Sequence, residues 1–237
     1  RQPESTESWQ LLGLVARDLR QFDDAARAFA KILEIDPKHE EAGFELSFTL
    51  LLSGDLNRGF DAYEARWRMK RARAFNPTTP KWDGEDLGGK TIWIRGEQGF
   101  GDAIQFVRFA RRLKAERGAG RVILEARPPL KRLFDGVVDG VDQVVSYDEE
   151  PPQHDIWTAV LSLPRFFPID VDSVDWPGPY LRPPKTGPRF TYPHRQGKLA
   201  VGLCWGGSPT HLNDKRRSAG LENFLPVLAE DRALFVS

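Results

Sequence analysis

The sequence predicts an α/β protein in three parts: paired helices, a Rossmann-like parallel sheet, and the start of a second unit of the same kind. Three observations predict it. Small and aromatic residues recur at helical spacing through the first seventy positions. Short β-branched runs then alternate with helical patterns between residues 91 and 164. After a proline-rich stretch, the order strand, glycine turn, helix, strand begins again.

In the helical part, Trp9, Leu12, Gly13 and Ala16, then Ala25, Phe29, Ile32 and Pro37, follow the tetratricopeptide spacing, with Ala16 where a tyrosine is common. A shift of one 34-residue repeat lands on Gly43, Leu46, Ser47, Leu50, Gly59 and Tyr63, a weaker second copy. Small residues at positions 13, 25, 47 and 59 let antiparallel helices approach closely, while Trp9, Phe29 and Tyr63 fill the space between them. Gly54-Asp55 marks the turn within the second pair, and Asp36-Pro37 breaks the chain between pairs. Two repeats fall short of the roughly three that stand alone, so they are expected to stack on the next domain or on further repeats upstream. Their surface is a candidate site for a protein partner.

Residues 67–90 carry basic residues, prolines and glycines without a sustained period, as a connector does. The cluster Arg66, Arg68, Lys70, Arg71 and Arg73 reads as a solvated helix end, with phosphate binding as the alternative. TIWIR (91–95) is the first strand, followed by a glycine loop and a helix over 103–113 that places Arg108, Arg111, Arg112 and Lys114 largely on its outer side. Gly118-Ala-Gly120 ends that helix. RVILEA (121–126), a short helix over 128–134, QVVS (143–146) and DIWTAVLSLP (155–164) complete a parallel sheet expected to carry helices on both faces. The proline-rich 177–197 suits a hinge. KLAVGLCWGG (198–207) reads as a buried strand, LENFLPVLAE (221–230) as a helix and ALFVS (233–237) as the next strand. The boundaries drawn are 1–72 for the repeats, 73–90 for the connector, 91–183 for the first sheet, 184–197 for the hinge and 198–237 for the second unit. The chain starts at Arg1 and stops on an apolar run, so it reads as a piece of a longer protein.

Composition narrows the function classes. A formal net charge of zero argues against a general nucleic-acid or membrane-surface binder. No apolar run suggests a membrane span, and the single Cys204 rules out an internal disulfide and fits a cytoplasmic protein. The four histidines are scattered, so no metal site is expected, and no G-x-S-x-G elbow is present.

Two stretches carry chemistry. In IRGEQGFGDAI (94–104) the glycines run Gly96-x-x-Gly99-x-Gly101, the reverse of the dinucleotide fingerprint, although Glu125 lies near the end of the second strand where a ribose-binding carboxylate belongs. No P-loop lysine follows. Asp102 stands where a helix begins and Asp is a favoured N-cap. Its loop also lies at the carboxyl edge of the first strand, where α/β ligands bind, and a carboxylate there can take a proton from a substrate hydroxyl. Gly96, Gln98, Gly99 and Gly101 form the loop around it. In GGSPTHLNDKRRS (206–218), Gly206 and Gly207 form a turn after a strand. Lys215, Arg216 and Arg217 precede an expected helix start that Ser218 is placed to cap, an arrangement suited to a diphosphate; a solvated charge run is the alternative. His211 is equally a surface histidine or a ligand contact.

The tetratricopeptide pair, WDGEDLGGKTIWIRGEQGFGDAIQFVRFA, SLP and VGLCWGGSPTHLNDKRRS together resemble bacterial tetratricopeptide proteins with a glycosyltransferase-like domain, similar to lipopolysaccharide heptosyltransferases and more distantly to O-linked N-acetylglucosamine transferases. The resemblance implies a GT-B fold of two Rossmann-like halves and metal-independent, inverting transfer from a nucleotide-sugar to an acceptor hydroxyl, with no cofactor. It implies Asp102, in Gly101-Asp102, as the catalytic base, and Lys215, Arg216 and Arg217 as contacts to the donor diphosphate, with Gly206, Gly207, His211 and Ser218 beside them. Ser208 stands where relatives often carry Asn. Most of the donor half is absent from this stretch, which is therefore expected to be inactive alone and to pair with another copy through its unpaired strand. Two other classes stay open: a tetratricopeptide adaptor whose glycosyltransferase-like part is not catalytic, and a dinucleotide-dependent oxidoreductase.

Overall fold

The computed structural model describes residues 5–69, 77–167, 169, 172, 178–182, 197–208 and 214–236. The chain forms two compact units, Arg1–Pro184 and Lys185–Ser237.

The first unit opens with two helical hairpins. Helix α1, Thr6–Asp18, starts at the N-cap Ser5, whose side chain accepts from Ser8 N–H. It packs on α2, Phe22–Ile35, whose Ala25, Ala28, Phe29 and Ile32 are buried. Helix α3, Glu40–Ser53, ends on left-handed Gly54 (φ 90°), and Asp55 caps α4, Leu56–Tyr63, by accepting from Arg58 N–H. The small residues do what their spacing predicts. A Cβ on Gly13 would stand 2.7 Å from the Phe29 ring, and one on Gly59 would stand 2.7 Å from Leu51 Cδ2. Phe60 and Tyr63 belong to the core of the sheet that follows, and the Phe60 and Phe106 rings meet edge to face at 5.5 Å. The second hairpin is therefore fused to the sheet by a shared apolar core, whose burial is the main stabilising term for such short helices.

The sheet is parallel, in the order β3-β2-β1-β4, with β1 Thr91–Arg95, β2 Arg121–Ala126, β3 Gln143–Ser146 and β4 Ile156–Ala159. That is the order of a Rossmann-like half, and it makes the protein a mixed α/β fold. The alternation of side chains divides the sheet cleanly. Ile92, Ile94, Val122, Leu124, Val144 and Ile156 pack in the main core with α5, Phe100–Phe106, α6, Ala110–Arg117, and α7, Pro128–Phe134. Trp93, Ile123, Val145 and Trp157 form a second cluster, joined by Trp67 and flanked by His154, whose ring lies 5.0 Å from that of Trp93. Among the described residues the α-helices thus serve one face, where the strand–helix alternation suggested both. The connection from β3 to β4 is a loop carrying no helix.

Two local expectations need correction. The helix expected over 103–113 is two α-helices joined by a 3-10 turn, Val107–Phe109, which shifts the helical phase and buries Arg108. Arg66 is not on a solvated helix end: it lies in the 3-10 turn Glu64–Arg68 with 3% of its side chain exposed. Its neighbours Lys70, Arg71 and Arg73 fall outside the described residues. Within the connector, Trp82 and Leu87 are fully buried, and Trp82 N–H donates to Trp157 O at 2.7 Å.

Among its described residues, the second unit holds two parallel strands, β5 Leu199–Gly202 and β6 Ala233–Val236, with the one-turn helices α8, Asp214–Arg217, and α9, Leu225–Leu228. The strand expected to be buried is not, and Leu199 is 63% exposed. A two-stranded sheet has too few neighbours to cover its faces. The helix expected over 221–230 is a 3-10 turn, Leu221–Phe224, leading into α9.

Candidate functional site

The strand order reverses between β1 and β4, and in open parallel sheets ligands bind outside the carboxyl ends at that point. The loop leaving β1 carries Gly96, Glu97, Gln98 and Gly99, and Gly101 and Asp102 follow in the first turn of α5. A Cβ on Gly96 would stand 2.6 Å from Glu125 O and 2.8 Å from the Tyr147 ring, so only glycine fits. Gln98 is left-handed at φ 62°, a conformation side chains other than glycine resist. Two interactions hold it: Gln98 Nε2 donates to Tyr63 Oη at 3.2 Å, and Gln98 O accepts from Arg127 Nε and Nη2 at 3.2 and 2.9 Å.

Asp102 is not the N-cap that its position suggested. Gly99 is the N-cap of α5, and Asp102, three residues on, accepts the Gly99 N–H on Oδ2 at 2.9 Å. Its other oxygen has no hydrogen-bond partner among the described residues, and the residue is half-buried. Gly101 is exposed with open space at its Cβ position, so its conformation does not demand glycine.

Beside this loop lies a second constellation, centred on Arg66. Arg66 donates to Glu97 through Nε and Nη2 at 3.0 and 2.7 Å, to Glu64 Oε1 at 2.7 Å, to Tyr63 O at 3.1 Å and to Ser162 Oγ at 2.8 Å. Ser162 Oγ donates to Glu64 Oε1 at 2.6 Å, Leu161 N–H donates to Glu97 Oε1 at 3.2 Å, and Lys81 pairs with Glu64. Burial alone would raise the Glu64 carboxyl, but the Arg66 and Lys81 charges outweigh it and hold it down to about 2. Burial likewise opposes the Arg66 charge, and Glu97 and Glu64 more than offset it, leaving its pKa raised. The ends of β1 and β4 are thus bridged by a buried ion network anchored in the helical hairpins.

On the β2 side of the loop, burial pushes the Glu125 carboxyl up to about 7, with Arg95 (3.9 Å) and the Gly96 N–H opposing it only in part. Burial and the Glu125 charge raise the Tyr147 phenol, and Arg127 lies 5.3 Å over the Tyr147 ring. A half-buried carboxyl titrating near neutrality at a sheet's carboxyl edge suits proton transfer.

In the second unit, Gly207 N–H donates to Ser218 Oγ at 2.8 Å, and Ser218 Oγ donates to Asp214 Oδ1 at 2.7 Å. Ser218 therefore ties the glycine turn to α8 and does not cap a later helix. Lys215, Arg216 and Arg217 lie within α8 rather than ahead of a helix, exposed and without an ion pair among the described residues. Gly206 is exposed with room for a Cβ. His211 falls outside the described residues.

No protein-family model matches the chain. A 65-residue stretch is 37% identical to Protein FlbA of Caulobacter vibrioides, covering 27% of this chain and 11% of that protein. A mutant of the Thermobaculum terrenum O-GlcNAc transferase is similar over 60% of this chain and 34% of its own, at 19% identity and a TM-score of 0.27. The chain thus spans about a tenth of the curated relative and a third of the solved one. At that TM-score the structural likeness carries no weight for function. Among the described residues, no helix is long and apolar enough to cross a membrane.

Proposed function

We propose that the protein transfers a sugar from a nucleotide-sugar donor to an acceptor hydroxyl, with Asp102 as the proton acceptor. In that reaction the acceptor hydroxyl gives its proton to Asp102 Oδ1 as its oxygen attacks the anomeric carbon. The bond from that carbon to the nucleotide diphosphate breaks, and the configuration inverts. Taken by itself, the second unit offers the exposed cations Lys215, Arg216 and Arg217 beside the Gly206-Gly207 turn as the groups that bind a donor diphosphate. The hairpins are tetratricopeptide repeats in this reading. The observation that carries it is the β1 loop, a strained turn at a sheet's carboxyl edge that presents a carboxylate with one unpartnered oxygen.

An adaptor without transferase activity is the second reading. The engagement of Asp102 Oδ2 in the helix cap favours it, since a capping carboxylate needs no catalytic role. A thermal-shift screen of the full-length protein against UDP-, GDP- and ADP-linked sugars separates the two. One nucleotide-sugar raising Tm, with the rise lost in Arg216→Ala, supports transfer. No shift with any of them favours the adaptor.

A further inference from the structure

All five N–H groups of the Arg66 guanidinium have acceptors: two on Glu97, and one each on Glu64, Tyr63 O and Ser162. Tyr63 closes α4 and Arg66 lies in the turn after it, so these groups belong to the end of the helical hairpins. Glu97 and Gln98 belong to the loop that leads to Asp102.

From this geometry we infer that Arg66 is a positioning residue for the β1 loop, which makes the hairpins part of the scaffold of the site and not a detachable adaptor. The inference rests on the loop being the acceptor side of a transfer site. A left-handed glutamine relaxes unless its surroundings hold it. Here Arg66 grips Glu97, Tyr63 Oη holds the Gln98 side chain, and Arg127 holds the Gln98 carbonyl. Two of the three anchors come from the hairpins. Gly99, next along, is the N-cap of α5, and its N–H fixes the Asp102 carboxylate. The setting of Asp102 is therefore transmitted through three consecutive backbone residues, with no contact to Arg66 required. Lysine cannot replace Arg66, because a point charge cannot make the planar two-bond grip on Glu97.

The test uses the full-length protein with Arg66→Lys, Arg66→Met and Glu97→Gln, the last keeping side-chain volume in case Arg66→Met does not fold. Amide hydrogen exchange is followed at residues 96–102 and, as an internal reference, at residues 122–124 of β2. Steady-state kcat and KM are measured with the nucleotide-sugar that the thermal-shift screen selects. Exchange in the loop is expected to rise about tenfold or more while the β2 amides hold their rates. The kcat is expected to fall roughly tenfold or more with KM for the nucleotide-sugar little changed, since misplacement of a catalytic group acts on the chemical step. Arg66→Lys should fall between wild type and Arg66→Met in both readouts. Loop exchange that stays at the wild-type rate in Glu97→Gln and in a folded Arg66→Met overturns the inference, as does an equal rise in the loop and β2. If wild type turns over no nucleotide-sugar, the transfer reading fails, and loop exchange alone decides the role of Arg66.

Discussion

Asp102 Oδ2 accepts the Gly99 N–H at 2.9 Å, so the residue proposed to take a proton also closes the first turn of its own helix. One oxygen is structural and the other is available.

The two roles of Asp102 separate by substitution. Asp102→Asn keeps an oxygen for the Gly99 N–H but cannot accept a proton at neutral pH. It should retain wild-type stability while losing roughly 100- to 10,000-fold in kcat. Asp102→Ala removes both, and should also lose about 1 kcal/mol of stability, the usual value of a helix cap. Urea titration and steady-state rates check both, and a fully active Asp102→Asn would remove Asp102 from the mechanism.

Glu125 should leave a pH signature. Its carboxyl titrates near 7 in the fold against an ordinary value of 4.5, because burial disfavours the charge. Below pH 4.5 folded and unfolded chains are both protonated there and this group's contribution to stability is fully present. Between 4.5 and 7 the unfolded chain gives up its proton first, so that contribution falls as pH rises through 7. Glu125→Gln abolishes the fall, and should gain on wild type by on the order of 1–2 kcal/mol between pH 4 and 8, allowing for solvent screening. Urea midpoints across that range measure it, and parallel curves for the two proteins would contradict a raised carboxyl.

Close packing in the first hairpin predicts a difference between two glycines. Gly13→Ala puts a methyl 2.7 Å from the buried Phe29 ring and should cost about 1–3 kcal/mol despite the better helix propensity of alanine. Gly101→Ala, where no group outside the helix's own backbone comes within 4 Å of the added methyl, should be neutral or slightly stabilising. Equal effects in denaturant titration would mean that the hairpin does not require the small residue.

Much of the fold is legible because local physics writes it. The residues TIWIR, RVILEA and QVVS are strands over the bounds their β-branched runs predict, and the Gly13 and Phe29 spacing forces the first hairpin to close. Within the candidate site, the glycine loop and its place after β1 were readable for the same reason. The polarity of Asp102 was readable too, but not its position three residues into the cap, since helix boundaries shift by a residue or two without changing the pattern.

Long-range pairing could not be read. Arg66 and Glu97 are 31 positions apart, and a basic residue in a basic run looks solvated until the fold buries it against a carboxylate. Glu125 reads as a strand-end acid, yet its pKa near 7 depends on burial beside Tyr147 and the Gly96 turn. By itself, then, the sequence determined the strands of the first sheet, their parallel order of connection and the loop after β1. Only the tertiary structure decided which charges are buried and what holds the loop in its strained form. Those depend on groups brought together from distant positions, and their energies exist only once water is excluded between them.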